Sequence, residues 1–316
     1  MARTEDLRSE NRARIREYLY TEPQITLAQL EKKTGLSHGL VVAALREMTE
    51  TGEVKAEKHG TGVGRKTYLY SVDPDHMHLC GVLVIQNEST MTYRMMEIDL
   101  SGRVCSVQET EWDAYTEETF MYALDSFLGK CSRPRRIIIA SPGICENGIV
   151  SNPGRYVNDI GAWIRKKYDM PVIIENDVNT AAIGFAQTIP EAAHTAFLYQ
   201  ADRTRFGCGI VIHGRLYNGF SHSAGELRWL PFMDDTGGRS AAELLALQIR
   251  SVAAVLDPEV IGWYSRIVPA DSAQFEMPMP ERNRPRIIAA EDMETAAVRG
   301  IYSIGIDSIV HSHGGK

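Results

Sequence analysis

The sequence predicts an α/β protein: a small N-terminal winged helix-turn-helix followed by a body of two successive α/β lobes. Three observations predict it. Residues 24–70 read as a short helix, a tight turn, a second helix and a glycine-rich hairpin. From residue 79 the chain reads meander, helix, strand, helix, strand, helix, which is one half of an α/β unit. The strand pattern then restarts near residue 195.

Residues 4–20 read as a first helix, with Leu7, Ile15, Tyr18 and Leu19 as candidate apolar contacts. Leu27, Leu30 and Leu36 supply the apolar positions of the next short helix, and Gly35 turns the chain. Ser37 is placed to accept a hydrogen bond from a free N–H of the second helix, His38 to Glu50. That helix puts Val41, Val42, Leu45 and Met48 on one side, and Gly52 stops it. Strands are expected at Val54 to Glu57 and Thr67 to Val72, around a basic tip that holds Arg65 and Lys66. Two helices and a hairpin of this kind usually place the second helix in a DNA major groove. Ser37, His38 and Gly39, at the start of that helix, are then the candidates for base edges, with Arg65 and Lys66 for phosphates or a minor groove. The other role open to such a unit is protein contact.

Asp73-Pro74-Asp75 marks a boundary, so the domains are read as 1–74, 75–190 and 191–316. In the first lobe, strands at 79–85, 92–100 and 104–109 form a meander, followed by a helix at 117–128. A buried strand over 136–140 ends at Ser141-Pro142-Gly143, and a helix follows at 159–168. A strand over 172–175 ends at Asn176-Asp177, ahead of a helix at 179–187. In the second lobe, strands are read at 195–199, 207–212, 215–217, 260–262 and 287–290, with helices at 240–256 and 294–309. Two halves imply a cleft between lobes, where ligands tend to bind.

Composition bounds the function. The chain has 316 residues and a net charge of −7, with acids and bases near balance even in the first 75 residues. A nonspecific nucleic-acid coat is excluded, and DNA contact must come from local clusters: Arg12, Arg14 and Arg16, and Lys55, Lys58, Arg65 and Lys66. No run of about 18 apolar residues spans a membrane, and Met1 to Asp6 has no secretory core. The five cysteines are scattered, with no Cys-x-x-Cys, so reduced thiols and a cytoplasmic setting are expected.

Three stretches carry a family likeness: Ser141-Pro142-Gly143 with Gly148-Ile149-Val150, Glu175 to Ala182, and Gly207 to Gly219 leading to Ala224-Gly225-Glu226. In order and spacing they resemble the ROK family of repressors, open reading frames and sugar kinases. The resemblance implies a two-lobed actin-like ATPase fold. It implies that Asp177 matches the kinases' general base, that Asn176 bonds a sugar hydroxyl, and that Glu226 contacts sugar. Asn152 and Asn158 lie where the family has polar ligand contacts. Asn176 or Asp177 could instead cap the helix that follows.

The departures from the family are as informative. The zinc-site histidine is Trp229 here, which could stack on a sugar or lie in the core, and no cysteines follow it, so no metal is expected. The kinases' Asp-x-Gly-Gly-Thr loop is Gln86-Asn87-Glu88-Ser89-Thr90, and Trp263-Tyr264 stands where a Gly-Gly pair would admit adenine. The tail is shorter than in the family's repressors, so a reduced cleft wall is expected. The implied protein is a repressor of carbohydrate genes that binds operator DNA as a homodimer or higher oligomer and senses a sugar or sugar derivative, with no cofactor and no kinase activity. The alternatives are a hexose kinase using ATP and a regulator whose body binds nothing and only dimerises.

Overall fold

Two five-stranded sheets with the same strand order face each other across a pair of helices. They are seen in a computed structural model that describes residues 2–311 except 60–66, 132, 153, 272 and 274.

The N-terminal unit holds α1 (Ala2–Leu19), α2 (Leu27–Thr34) and α3 (His38–Glu50). These pack on a sheet of β1 (Ile25–Thr26), β2 (Val54–His59) and β3 (Thr67–Val72), in the order β1-β3-β2. Thr26 and Gln29 form a reciprocal capping box at the start of α2, and Gly35 ends that helix at φ +68°. Ile15, Leu19, Ile25, Leu30, Val41, Leu45 and Met48 close the small core. Three details differ from the sequence reading. Ser37 sits at the cap position of α3, but its hydroxyl makes no capping bond. Val42 is exposed, and Ala44 takes its place on the buried stripe, because three and four residues from Val41 and Met48 is the inward face. Leu7 is exposed rather than a core contact.

The first sheet holds β4 (His78–Gln86), β5 (Met91–Asp99), β6 (Val104–Trp112), β7 (Pro134–Ser141) and β11 (Val172–Asn176), ordered β11-β7-β4-β5-β6. The meander is antiparallel, while β7 and β11 run parallel to β4. Helices α4 (Glu117–Leu128) and α5 (Ile160–Arg165) cover one face through Phe120, Leu124, Phe127, Ile160 and Ile164. A second small sheet of β8 (Ile144–Glu146), β9 (Ile149–Asn152) and β10 (Tyr156–Asp159) stands at the edge of the cleft.

The second sheet repeats the topology with β12 (His194–Gln200), β13 (Phe206–Ile212), β14 (Arg215–Leu216), β15 (Val260–Ser265) and β16 (Arg286–Ala289), ordered β14-β13-β12-β15-β16. Helix α7 (Ala241–Leu256) covers its outer face. Between the sheets run α6 (Asp177–Ala186) and α8 (Met293–Val310), and one apolar core joins them to both sheets. The two helices meet backbone to backbone. A Cβ on Gly184 would lie 1.9 Å from the Ala296 carbonyl oxygen, and one on Gly300 would lie 1.8 Å from that of Thr180. Helix α8 also packs against β4 and β7 of the first sheet and against α1.

Candidate functional site

Parallel strands point their C-terminal ends at a shared crevice, and here those ends line a cavity of about 380 Å³ between the lobes. Asn152, Asn176, Asp177 and Glu226 all lie on its wall. The β11–α6 junction positions the central pair. Asn176 Oδ1 accepts the N–H groups of Val178 (2.9 Å) and Asn179 (3.0 Å), capping α6. Its Nδ2 donates to Gly143 O (3.0 Å) and to Asp177 Oδ1 (3.1 Å). Asn176 therefore both caps the helix and faces the cavity, with each polar atom already engaged. Asp177 Oδ1 also accepts the Val178 N–H at 2.9 Å. Burial pushes the Asp177 carboxyl up to about 6, and the Glu226 carboxylate adds to the rise. Burial also raises Glu226, which lies 3.0 Å from Arg228 Nε. Asn152 donates to Gln86 Oε1 at 3.3 Å across the cleft edge. Two carboxylates with raised pKa and two amides make a wall of acceptors and donors suited to hydroxyl groups.

Several expectations are corrected. Asn158 is buried away from the cavity, donating to Tyr115 O at 2.8 Å. Trp229 is 62% exposed and is neither core nor cavity lining; Arg228 lies over its ring at 5.4 Å. Trp263 and Tyr264 do not both enter the cleft, since neighbouring strand residues point to opposite faces. Trp263 is buried against Phe275, and only Tyr264 lines the cavity.

The glycines of the third stretch serve packing. A Cβ on Gly207 would come within 2.9 Å of Val178, one on Gly209 within 2.7 Å of Val178 O, and one on Gly225 within 1.7 Å of Cys208 O. The missing side chains of Gly207 and Gly209 let β13 lie against α6, and that of Gly225 lets the loop beyond β14 lie on β13. The β4–β5 turn is closed on itself, with Asn87 donating to the Thr90 and Thr92 hydroxyls at 3.2 and 3.1 Å.

The residues that sequence reasoning missed lie on the second-lobe wall beside Tyr264: Tyr199, Thr204, Arg205 and Arg266. The signal was present. The strand-end rule that singled out Asn176 and Asp177 applies equally to the ends of β12 and β15, where Tyr199 and Tyr264 are register partners.

In the N-terminal unit, Ser37, His38 and Gly39 are exposed at the start of α3. His38 Nδ1 lies 2.6 Å from Glu31 Oε1. Arg65 and Lys66 fall outside the described residues. Several cations expected to face DNA are already paired. Arg12 meets Glu47 at 2.6 Å, Lys55 meets Asp73 at 2.9 Å, and Arg16 is drawn inward to Glu53 at 2.7 Å.

The ROK family model matches residues 92–237, the span that runs from the meander through the Asn176-Asp177 junction to beyond Glu226. The chain is similar to proteins named xylose repressor from Bacillus spizizenii, 22% identical over 237 residues, and from Bacillus subtilis, 23% identical over 237 residues. Each alignment takes in 67% of this chain, which spans 58% of the relative's length. Among solved structures, a ROK family transcriptional regulator described as a homologue of the E. coli MLC protein superposes with a TM-score of 0.69 at 13% identity, covering 96% of this chain and 98% of that one. A ROK family glucokinase from Streptomyces griseus, in complex with glucose and AMPPNP, superposes with a TM-score of 0.54 at 14% identity, covering 72% and 98%. The body thus shares its two-lobed α/β fold with the glucokinase, and the fold shared with the regulator extends through the N-terminal unit. No helix among the described residues is long and apolar enough to cross a membrane.

Proposed function

We propose that this protein is a DNA-binding transcriptional regulator, a repressor of carbohydrate-metabolism genes, whose ROK-type body senses a sugar or sugar derivative without phosphorylating it. The observation that carries the reading is the path of α8. Its first turn lines the cavity through Asp292, Met293, Glu294 and Ala297. Its last turn meets α1, where Arg16 Nη1 donates to Ile309 O at 3.3 Å. Helix α6 starts on the same cavity at Asp177 and is locked to α8 at the Gly184 and Gly300 contacts. A ligand that draws the lobes together would shift α8 and, with it, the N-terminal unit. Such coupling requires that the ligand bind the two arrangements with different affinity.

In this reading the N-terminal unit is a winged helix-turn-helix with α3 as its recognition helix. Ser37, His38 and Gly39 face base edges, and Arg65 and Lys66 face the backbone or minor groove. With Arg12, Arg16 and Lys55 engaged in internal pairs, one copy binds DNA weakly, and a homodimer supplies affinity by joining two half-sites. Asn152, Asn176, Asp177 and Glu226 hold the sugar. The names of the two repressor relatives support this reading, as does the regulator fold that spans the chain.

A kinase reading draws on Asp177, which is retained at the cleft. Against it stand the self-bonded β4–β5 turn, which carries the anionic Glu88, and glycines whose space is filled by α6. The test is fluorescence anisotropy on DNA upstream of the protein's own gene, with and without a panel of aldoses, alongside calorimetry with Mg-ATP. Specific binding that a sugar alters, with no nucleotide uptake, is the expected result. No sequence-specific DNA binding at modest salt would overturn the reading, and ATP turnover with an aldose would replace it with the kinase.

A further inference from the structure

The cavity has two chemically different walls. The first-lobe side offers Asn152, Asp177 and, from the loop beyond β14, Glu226. The second-lobe side offers two phenols and two guanidinium groups, Tyr199, Tyr264, Arg205 and Arg266. Tyr199 and Tyr264 lie side by side at the ends of β12 and β15, their rings 3° from parallel with centroids 6.3 Å apart. Arg266 follows β15, anchored by its backbone N–H to Gln200 O at 2.9 Å, with its guanidinium 6.0 Å from the Tyr199 ring centroid. Burial pushes the Tyr199 phenol up to about 12, and Asp177 adds to the rise, while Arg266 and Arg205 pull it the other way.

The charge balance of the cavity is uneven in one respect. Arg228 is paired with Glu226, Arg205 with Asp202 at 2.5 Å, and Glu294 with Arg94. Asp292 accepts from Thr295 N and its hydroxyl, capping α8. Among the described residues the Arg266 side chain has no hydrogen bond and no ion pair, and neither do the Tyr199 and Tyr264 hydroxyls; Arg155, beside β10 on the first-lobe side, is the other lining guanidinium without an ion pair. An unpaired guanidinium flanked by two free phenol donors is a site for an acceptor-only group, and the acceptor that gains most from it is an anion.

We propose that the cavity takes a sugar derivative bearing an anionic group, a phosphate ester or a carboxylate, whose hydroxyls meet Asn152, Asp177 and Glu226 and whose anion meets Arg266, Tyr199 and Tyr264. The proposal rests on the reading of the cavity as an effector site and names the class of effector. It also accounts for a pocket that keeps polyol-binding groups on one wall yet carries a guanidinium and two phenols on the other.

The test is isothermal calorimetry on the full chain at about pH 8, with aldoses, their terminal phosphate esters, their uronates, inorganic phosphate and Mg-ATP. The expected result is that one charged derivative binds roughly 10- to 100-fold more tightly than its neutral parent, the range for a charge-assisted contact. That advantage, read in each protein as the ratio of charged to neutral affinity, disappears in Arg266→Gln, shrinks in Tyr199→Phe and is partly restored in Arg266→Lys. The phosphate and uronate arms decide which anion the site prefers. Equal affinity for neutral and charged sugars, or an advantage that survives Arg266→Gln, overturns this proposal and leaves the effector site standing. Absence of binding by every sugar overturns the effector reading itself. Uptake of Mg-ATP in place of the sugars overturns both.

Discussion

Replacing Asp177 with asparagine should make the ligand-free protein more stable, and the gain should depend on pH. Asp177 is held at the cavity wall with its carboxyl raised from 3.8 to about 6, chiefly by burial and secondarily by Glu226. A group whose folded pKa lies above its unfolded one binds its proton more tightly in the folded state, so the ionised form weakens folding. The penalty is fully present above about pH 7, falls through the window between the two values, and is gone below about pH 4. A displacement of about two pH units corresponds to about 3 kcal/mol at most. Asparagine removes the charge and keeps an oxygen that can accept the Val178 N–H, the bond now made at 2.9 Å. Urea unfolding of wild type and Asp177→Asn should therefore differ by about 2–3 kcal/mol near pH 8, by roughly half that near pH 5, and by almost nothing near pH 4. The same variant should lose sugar binding, the trade between stability and function expected of a ligand-holding carboxylate. A variant that is destabilised at pH 8, or stabilised equally at every pH, would refute the assignment of Asp177 as a strained, cavity-facing acid.

Other predictions follow from the same geometry. Arg16→Ala leaves Glu53, only 4% exposed, without its bidentate partner and removes the bond to Ile309 O, so it should cost about 2–4 kcal/mol. Hydrogen exchange should show weaker protection in α1 and α3 and not in α4, and unchanged protection in α1 would mean that this junction does not hold the unit to the body. Gly184→Ala forces α6 off α8, because its Cβ would overlap the Ala296 carbonyl. A drop of about 1–3 kcal/mol or more in thermal stability is expected, together with a weaker effect of ligand on DNA binding. Lys58→Ala with Arg65→Ala and Lys66→Ala should lower DNA affinity equally for all sequences and flatten its dependence on log salt by about one for each phosphate no longer neutralised. An unchanged slope would place these cations away from the duplex.

How much of this was legible depended on the range of the determining interactions. Helix α3 is read to the residue, His38 to Glu50, because Gly35 and Gly52 punctuate it locally and its buried stripe has helical spacing. The Val42 error arises because two adjacent valines look alike to any pattern, and only packing against α1 and α2 chooses between them. The strands β8, β9 and β10 were invisible because three or four residues are too few to show alternation. Asn176 and Asp177 were legible because they end a run of β-branched residues in one stretch of chain. Tyr199 and Arg266 were not, since they are 67 positions apart and meet only through the parallel register of β12 and β15.

The sequence by itself determined the longer helices and strands, that the body is two successive α/β halves, and that Asn176 and Asp177 stand at a strand end. Those properties follow from local propensity, periodicity and chain order, which need no partner. Only the tertiary structure decided which of these residues share a cavity, which cations are spent on internal pairs, and that the motif glycines seat one helix against a sheet. It also decided that a single helix runs from the ligand cavity to the N-terminal unit, because that depends on where the last 18-residue helix lies once both sheets have packed around it.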